Sequence, residues 1–237
     1  SYIDTNVKGT LNILNCALHN KTSQVILTST SEVYGSAKKI PILENHPLNA
    51  QSPYAASKIA ADQLAMSYYK SFNLPITILR PFNCFGPRQS SRAIIPTIIS
   101  QILKNKTVKL GNLNPTRDFT FVEDTADSFV KALKNKKSYG QIINVGNSFE
   151  ISINELIKIF KDEFGYKFKL ISDKKRVRPK KSEVMRLYAS NIKAKKILKW
   201  KPKYSEIKGF KKGLIKTIEW FKIEKNKKLY NAKNYTI

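Results

Sequence analysis

Two short runs of β-branched and apolar residues, Gln24 to Thr30 (QVILTST) and Ile76 to Arg80 (ITILR), flank one long helical stretch from about Pro53 to Phe72. No other feature constrains the fold as strongly. A run without polar alternation marks a strand buried on both faces, as in a parallel sheet. Two parallel strands need a crossover between them, and the helix supplies it. The alternation continues along the chain. A helix from Thr5 to Asn20 carries Leu11, Leu14 and Leu18 at helical spacing. A helix from Ile94 to Lys104 is followed by short strands at Val108 to Leu110 and Phe119 to Val122. Another helix begins at Glu123 and Asp124, and a strand follows at Ile142 to Val145. The expected fold class is α/β, a doubly wound parallel sheet with right-handed crossovers.

Beyond Ser152 the pattern changes. Ile153, Leu156, Ile157 and Phe160 form a helical stripe, and Phe168 to Ile171 reads as a strand. Lys174 to Lys181 is a basic loop. Helices over Asn191 to Leu198 and Ile207 to Lys222 follow. The expectation is a main domain over residues 1–151, with substrate-loop segments within 83–118. A smaller α/β lobe would cover 152–225, and 226–237 would be a polar tail. Dinucleotide-binding sheets carry a Gly-rich turn after their first strand. The nine glycines here are dispersed, and no such turn occurs. The expectation is therefore that an amino-terminal half-sheet of roughly 80 residues is missing. The chain as given would then turn over slowly and leave a poorly protected sheet edge.

The net charge of +26 rests mostly on lysines along exposed helix sides, such as Lys193, Lys195, Lys196 and Lys199. A basic nucleic-acid or anion-binding module is one reading. The sequence shows no zinc finger, helix-turn-helix spacing or RNA-binding aromatic signature, which favours a solvated basic surface. No apolar stretch reaches the ~20 residues of a membrane span. No signal peptide opens the chain, so a cytoplasmic location is expected. Cys16 and Cys84 read as reduced core residues. With His19 and His46 they make no metal set, so no metal is expected.

Chemistry concentrates at two places. Thr28 to Gly35 (TSTSEVYG) ends the first strand with hydroxyls and one carboxylate, and Ser52 to Lys58 (SPYAASK) opens the long helix. Tyr54 and Lys58 lie four apart on one helix face, so an ammonium can sit beneath a phenol. A free tyrosine titrates near 10, and a nearby cation favours its phenolate. Such a phenolate can take a proton from a sugar hydroxyl.

These motifs, with TNVKGT at Thr5, RPFNCFGPRQ at Arg80, RDF at Arg117 and RPKKSE at Arg178, resemble the extended short-chain dehydrogenase/reductases in order and kind. Within them the likeness is to the nucleotide-sugar epimerase/dehydratase group, over nearly the whole chain. SSRAIIPTIISQIL and RPKKSEVMRLYASNIKAKKIL are closest to 4,6-dehydratases acting on UDP- or GDP-N-acetylglucosamine. The resemblance implies a Rossmann-like fold and NAD as recycled cofactor. It implies that Tyr54 takes the C4 hydroxyl proton, Lys58 stabilises the phenolate and holds a ribose hydroxyl, and Thr30 bonds the C4 oxygen. Glu32 would remove the C5 proton before water leaves C6. Ser29 and Pro81 would lie near the nicotinamide.

One position departs from the dTDP-glucose dehydratase pattern, which has Thr-Asp-Glu where this chain has Thr30-Ser31-Glu32. Ser31 could only relay a proton or orient a water, which leaves the general acid open. Ser-Glu also occurs in UDP-glucuronate decarboxylases, an alternative alongside a 4-epimerase. Gln89-Ser90-Ser91-Arg92 lacks the decarboxylase-like acidic-glycine loop. The resemblance further implies that Arg117 and Arg178 hold ribose and diphosphate, where a guanidinium pairs with phosphate oxygens. Asn83 would contact the sugar diphosphate, with Arg88 helping or bracing the loop. Asn6 would support the active-site backbone or simply cap a helix. A homodimer would form through helices near 6–18 and 54–72, with Ile59, Leu64 and Met66 adding apolar contact.

Overall fold

The computed structural model describes residues 1–177, 179 and 182–227. The first helix winds as a π-helix over Ile3–Lys8 before continuing as α1, Gly9–His19. Then come β1 (Val25–Thr28), α2 (Pro53–Phe72), β2 (Ile76–Pro81), β3 (Asn83–Phe85) and α3 (Ile94–Asn105). Next are β4 (Thr107–Leu110), β5 (Thr116–Arg117), β6 (Phe119–Phe121), α4 (Val122–Ala132) and β7 (Gln141–Val145). β8 (Ile151–Ser152), α5 (Ile153–Lys158), β9 (Lys169–Ser172) and β10 (Arg186–Leu187) precede α6 (Ile192–Leu198), α7 (Glu206–Lys222) and α8 (Glu224–Lys227).

α2 shows how local chemistry sets an element. The Ser52 hydroxyl accepts from the Ala55 amide at 3.1 Å, and Pro53 occupies the first turn, where no amide donor is needed. The helix stops at Asn73, which takes a left-handed conformation with φ 54°.

The main sheet has the order β1-β2-β7, all parallel. Helices cover both faces. Leu14 and Ala17 of α1 and Ala65 of α2 pack with Ile76 and Ile78 on one side. Ala132 of α4, Ala194 and Leu198 of α6, and Trp200 pack with Leu79, Ile143 and Val145 on the other. The α/β expectation of a doubly wound sheet therefore holds. β2 is buried from Ile76 through Arg80, as its apolar run predicts. β1 is not: Val25 to Leu27 are half-buried and Thr28 is exposed. Among the described residues it is one of the two edge strands of this sheet, with β7 at the other edge. Cys16 is exposed on α1, contrary to its reading as a core residue.

A second, larger core gathers Phe85, Ile95, Phe119, Phe121, Leu156, Phe160, Phe210 and Leu214. It joins α3, α5 and α7 to the two-stranded parallel pairs β3-β6 and β4-β9. Residues 174–176 of the expected basic loop form a 3-10 turn. No helix among the described residues is long and apolar enough to cross a membrane.

Asp118 stitches the two regions. Its carboxylate is fully buried and accepts from the backbone amides of Asn147 (2.7 Å), Ser148 (2.9 Å) and Ala189 (3.1 Å). Burial pushes its pKa up to about 7, and these backbone donors pull the other way. An Asp118→Asn side chain would aim an amide N–H at an amide donor. The expected loss is about 2–3 kcal/mol for a buried group left without its bonds. Thermal unfolding should show it as a fall in Tm of roughly 5–10 °C.

Candidate active site

The end of β1 and the start of α2 build the site. The Ser29 amide still bonds the Leu79 carbonyl at 2.7 Å, which continues the sheet by one residue. Thr30 is extended, and its hydroxyl accepts from the Glu32 amide at 3.2 Å. That bond caps a 3-10 turn over Ser31–Tyr34 and projects Glu32 away from the sheet. Gly35 ends the turn at φ 62°, where any Cβ would collide with the Asn49 carbonyl, so glycine is required. α2 then brings Tyr54 back toward Thr30, whose hydroxyl acts to lower the pKa of the phenol.

The electrostatics differ from the sequence expectation. Tyr54 is pushed above its ordinary pKa, first by burial and then by the charge of Glu32; the bond to Thr30 pulls it down. The Lys58 ammonium donates to the Thr28 carbonyl at 2.6 Å. Burial lowers the Lys58 pKa, against the nearby Asp62 carboxylate, which raises it. The cation is on the expected helix face, but it is engaged by backbone and does not lead the titration of Tyr54. Desolvation of the phenolate outweighs it.

A cleft of about 710 Å³ opens at these residues. Glu32, Tyr54, Asn83 and Arg117 line it together, as do Arg92 and Arg176, which sequence reasoning did not assign. The Asn83 side-chain oxygen is buried and has no hydrogen-bond partner among the described residues. Arg117 donates to the Thr116 carbonyl at 2.8 Å and stands 3.5 Å from Glu183. Thr30 and Lys58 are not among the residues of the cleft wall.

Other expected residues lie elsewhere. Ser31 is 3% exposed and is not in the cleft wall, because the capped turn directs it inward. Ser29 is buried, and its hydroxyl donates to Asp62 at 2.8 Å. Pro81 ends β2 opposite Val145. Arg88 is exposed at φ 66° and does not line the cleft. Arg178 lies outside the described residues. Asn6 caps no helix: it donates to the Ser57 hydroxyl at 2.9 Å, which donates to the Tyr54 carbonyl at 2.7 Å. No group of three metal-ligating side chains occurs among the described residues. Asp62 and Arg80 were also missed. Two signals were available: Asp62 continues the 54, 58 spacing by one more turn, and Arg80 is a charge inside an apolar strand.

Comparison with known proteins identifies the family and the fold. The sequence model of the family described as GDP-mannose 4,6 dehydratase matches residues 1–213. Human dTDP-D-glucose 4,6-dehydratase is 33% identical, aligned over 92% of this chain and 61% of its own length. UDP-glucuronate 4-epimerase of Thermodesulfobacterium geofontis is also 33% identical, over 93% of this chain and 66% of its own. The chain thus spans less than two thirds of either relative. The crystal structure of dTDP-glucose 4,6-dehydratase from Bacillus anthracis in complex with NAD superposes with a TM-score of 0.82 at 29% identity. It covers 94% of this chain and 69% of that one. With a helix-covered parallel sheet, a tyrosine and lysine at the strand end and a family match over most of its length, the chain belongs to the GDP-mannose 4,6 dehydratase family, among the extended short-chain dehydrogenase/reductase epimerases and dehydratases of nucleotide sugars.

Proposed function

We propose that this chain carries the catalytic part of an NAD-dependent nucleotide-sugar 4,6-dehydratase acting on UDP- or GDP-N-acetylglucosamine. The observation that carries the reading is Glu32 and Tyr54 together in the wall of one cleft. Epimerisation at C4 needs one proton-transfer group at the C4 oxygen. Dehydration needs a second, at C5, and Glu32 supplies it.

NAD fits the residues present. The Tyr54 hydroxyl and the Lys58 ammonium face the carboxyl ends of parallel strands, where open α/β sheets hold nucleotides. Tyr54 and Lys58 would hold NAD at the strand ends, and the cofactor would supply reversible hydride exchange with the sugar, from C4 and back to C6. Tyr54 accepts the C4 hydroxyl proton while Thr30 hydrogen-bonds the same oxygen. Lys58 steadies the phenolate and a ribose hydroxyl. The C4 ketone makes the C5 hydrogen acidic, and Glu32 removes it. With Ser31 turned inward, Glu32 itself is the donor that releases the C6 oxygen as water. Tyr54 gives the proton it took from the C4 hydroxyl to solvent, solvent reprotonates Glu32, and Glu32 protonates C5 to leave a 4-keto-6-deoxy sugar. Asn83, Arg117 and Arg178 would bind the ribose and diphosphate, and Arg92 and Arg176 add positive charge to the same wall.

The N-acetylglucosamine assignment rests on the SSRAIIPTIISQIL and RPKKSEVMRLYASNIKAKKIL segments. A homodimer through α1 and α2 fits the 62% exposure of Ile13 on α1. A 4-epimerase is the second reading, favoured by the Thermodesulfobacterium relative.

Incubation with NAD and UDP- or GDP-N-acetylglucosamine in deuterated water should give a 4-keto-6-deoxy product labelled at C5. A C4 epimer that keeps its C5 hydrogen would establish the second reading instead, and CO2 from UDP-glucuronate would point to the decarboxylase. Glu32→Gln should lower dehydration by about 10²–10⁴-fold, the usual worth of a positioned proton-transfer group. Removing the cation in Lys58→Met raises the pKa of the phenol. The limb of the rate profile that requires phenolate should therefore move to higher pH.

A further inference from the structure

The pair Tyr54 and Lys58 continues into a third charged residue on its helix face. Asp62 follows one turn later, wholly buried. Its Oδ2 accepts from the Ser29 hydroxyl at 2.8 Å and from Arg80 Nε at 3.0 Å, with a second Arg80 nitrogen also at 3.0 Å. Arg80 is 1% exposed. It donates through Nη1 to the Tyr34 hydroxyl at 2.9 Å, and its guanidinium carbon lies 4.9 Å from the centre of that ring. The Tyr34 hydroxyl donates in turn to Asn144 Oδ1 at 2.7 Å, and Asn144 is tied to the Ile42 carbonyl at 3.0 Å. Ser29 and Tyr34 bracket the segment that carries Thr30 and Glu32. One buried ion pair therefore grips that segment at both ends.

We infer that Asp62 and Arg80 are positioning residues for the reaction: they clamp Ser29 and Tyr34 so that Thr30 and Glu32 meet Tyr54. The inference rests on the proposed proton-transfer roles of Tyr54 and Glu32.

The charges around the clamp give it a signature. Asp62 faces Arg80 from β2, Ser29 from the end of β1, and Lys58 on its own helix. Tyr54 feels Glu32, Tyr2 and Asp62; Tyr34 feels Arg80 and Glu44. The Asp62 charge raises the pKa of Lys58 and of Tyr54 alike. Neutralising it also leaves the Arg80 charge uncompensated, which acts in the same direction. Both limbs of the rate profile then move to lower pH, whereas loss of a purely structural contact would lower stability and leave the limbs in place.

Asp62→Asn and Tyr34→Phe test this in the NAD complex of the protein. Asp62→Asn should move both limbs down by roughly one pH unit. Tyr34→Phe keeps the clamp's ion pair and breaks one grip. It should lower kcat about tenfold or more, with KM and the limbs unchanged, because a small misplacement of reacting groups is costly. Amide exchange over Ser29 to Gly35 should quicken in the same variant. A folded Asp62→Asn with unmoved limbs, or a Tyr34→Phe with unaltered kcat, overturns the inference. Should Asp62→Asn fail to fold, Tyr34→Phe decides alone. If the unaltered protein turns over no nucleotide sugar, the proposed function fails separately. Exchange over Ser29 to Gly35 then decides the clamp, and unchanged protection in Tyr34→Phe sinks it.

Discussion

The Asp62–Arg80 ion pair has almost no access to water, and much of the candidate site hangs on it. Taking two charges out of water costs several kcal/mol each, which mutual attraction offsets only when the remaining bonding capacity is largely met. Here Arg80 spends its donors on Asp62 and Tyr34, and Ser29 adds a donor to the carboxylate. Burial still pushes Asp62 above its ordinary pKa, with Arg80, Ser29 and Lys58 opposing. One Asp62 oxygen has no partner among the described residues. Such a pair contributes little net stability against an apolar replacement, yet losing one partner strands the other's charge. It joins α2, β1 and β2 in a single arrangement.

The same burial governs the reactive groups. Tyr54 and Lys58 shift in opposite directions, the phenol up and the ammonium down, because desolvation disfavours the charged form of each. The site thus holds two half-buried groups whose charged forms are both disfavoured by their surroundings. Beyond them the cleft wall turns basic through Arg92, Arg117 and Arg176, chemistry suited to an anionic nucleotide.

Two cores with buried carboxylate staples hold the walls in register. Asp118 draws the β7 loop and Ala189 together through backbone amides. Asp124 does the same for the amides of Lys203 and Tyr204, at 2.7 and 2.8 Å, and its carbonyl accepts from the Trp200 indole at 2.9 Å. Acidic residues are scarce in a chain with 43 lysines and arginines against 17 aspartates and glutamates. That buried backbone amides claim several of them leaves the surface more positive still.

By itself the sequence determined the element pattern and singled out the candidate reactive residues. Period and β-branching marked α2 and β2, because helix spacing and burial on both faces leave their imprint in local order. The Tyr54–Lys58 spacing and the hydroxyl-rich strand end were legible for the same reason. Tertiary structure decided what each side chain faces. It turned Ser31 inward beneath a capped turn, committed Lys58 to a carbonyl 30 residues away, and buried Asp62 against Arg80. Those outcomes depend on partners distant along the chain, and on a desolvation cost that exists only once the chain has closed around the group.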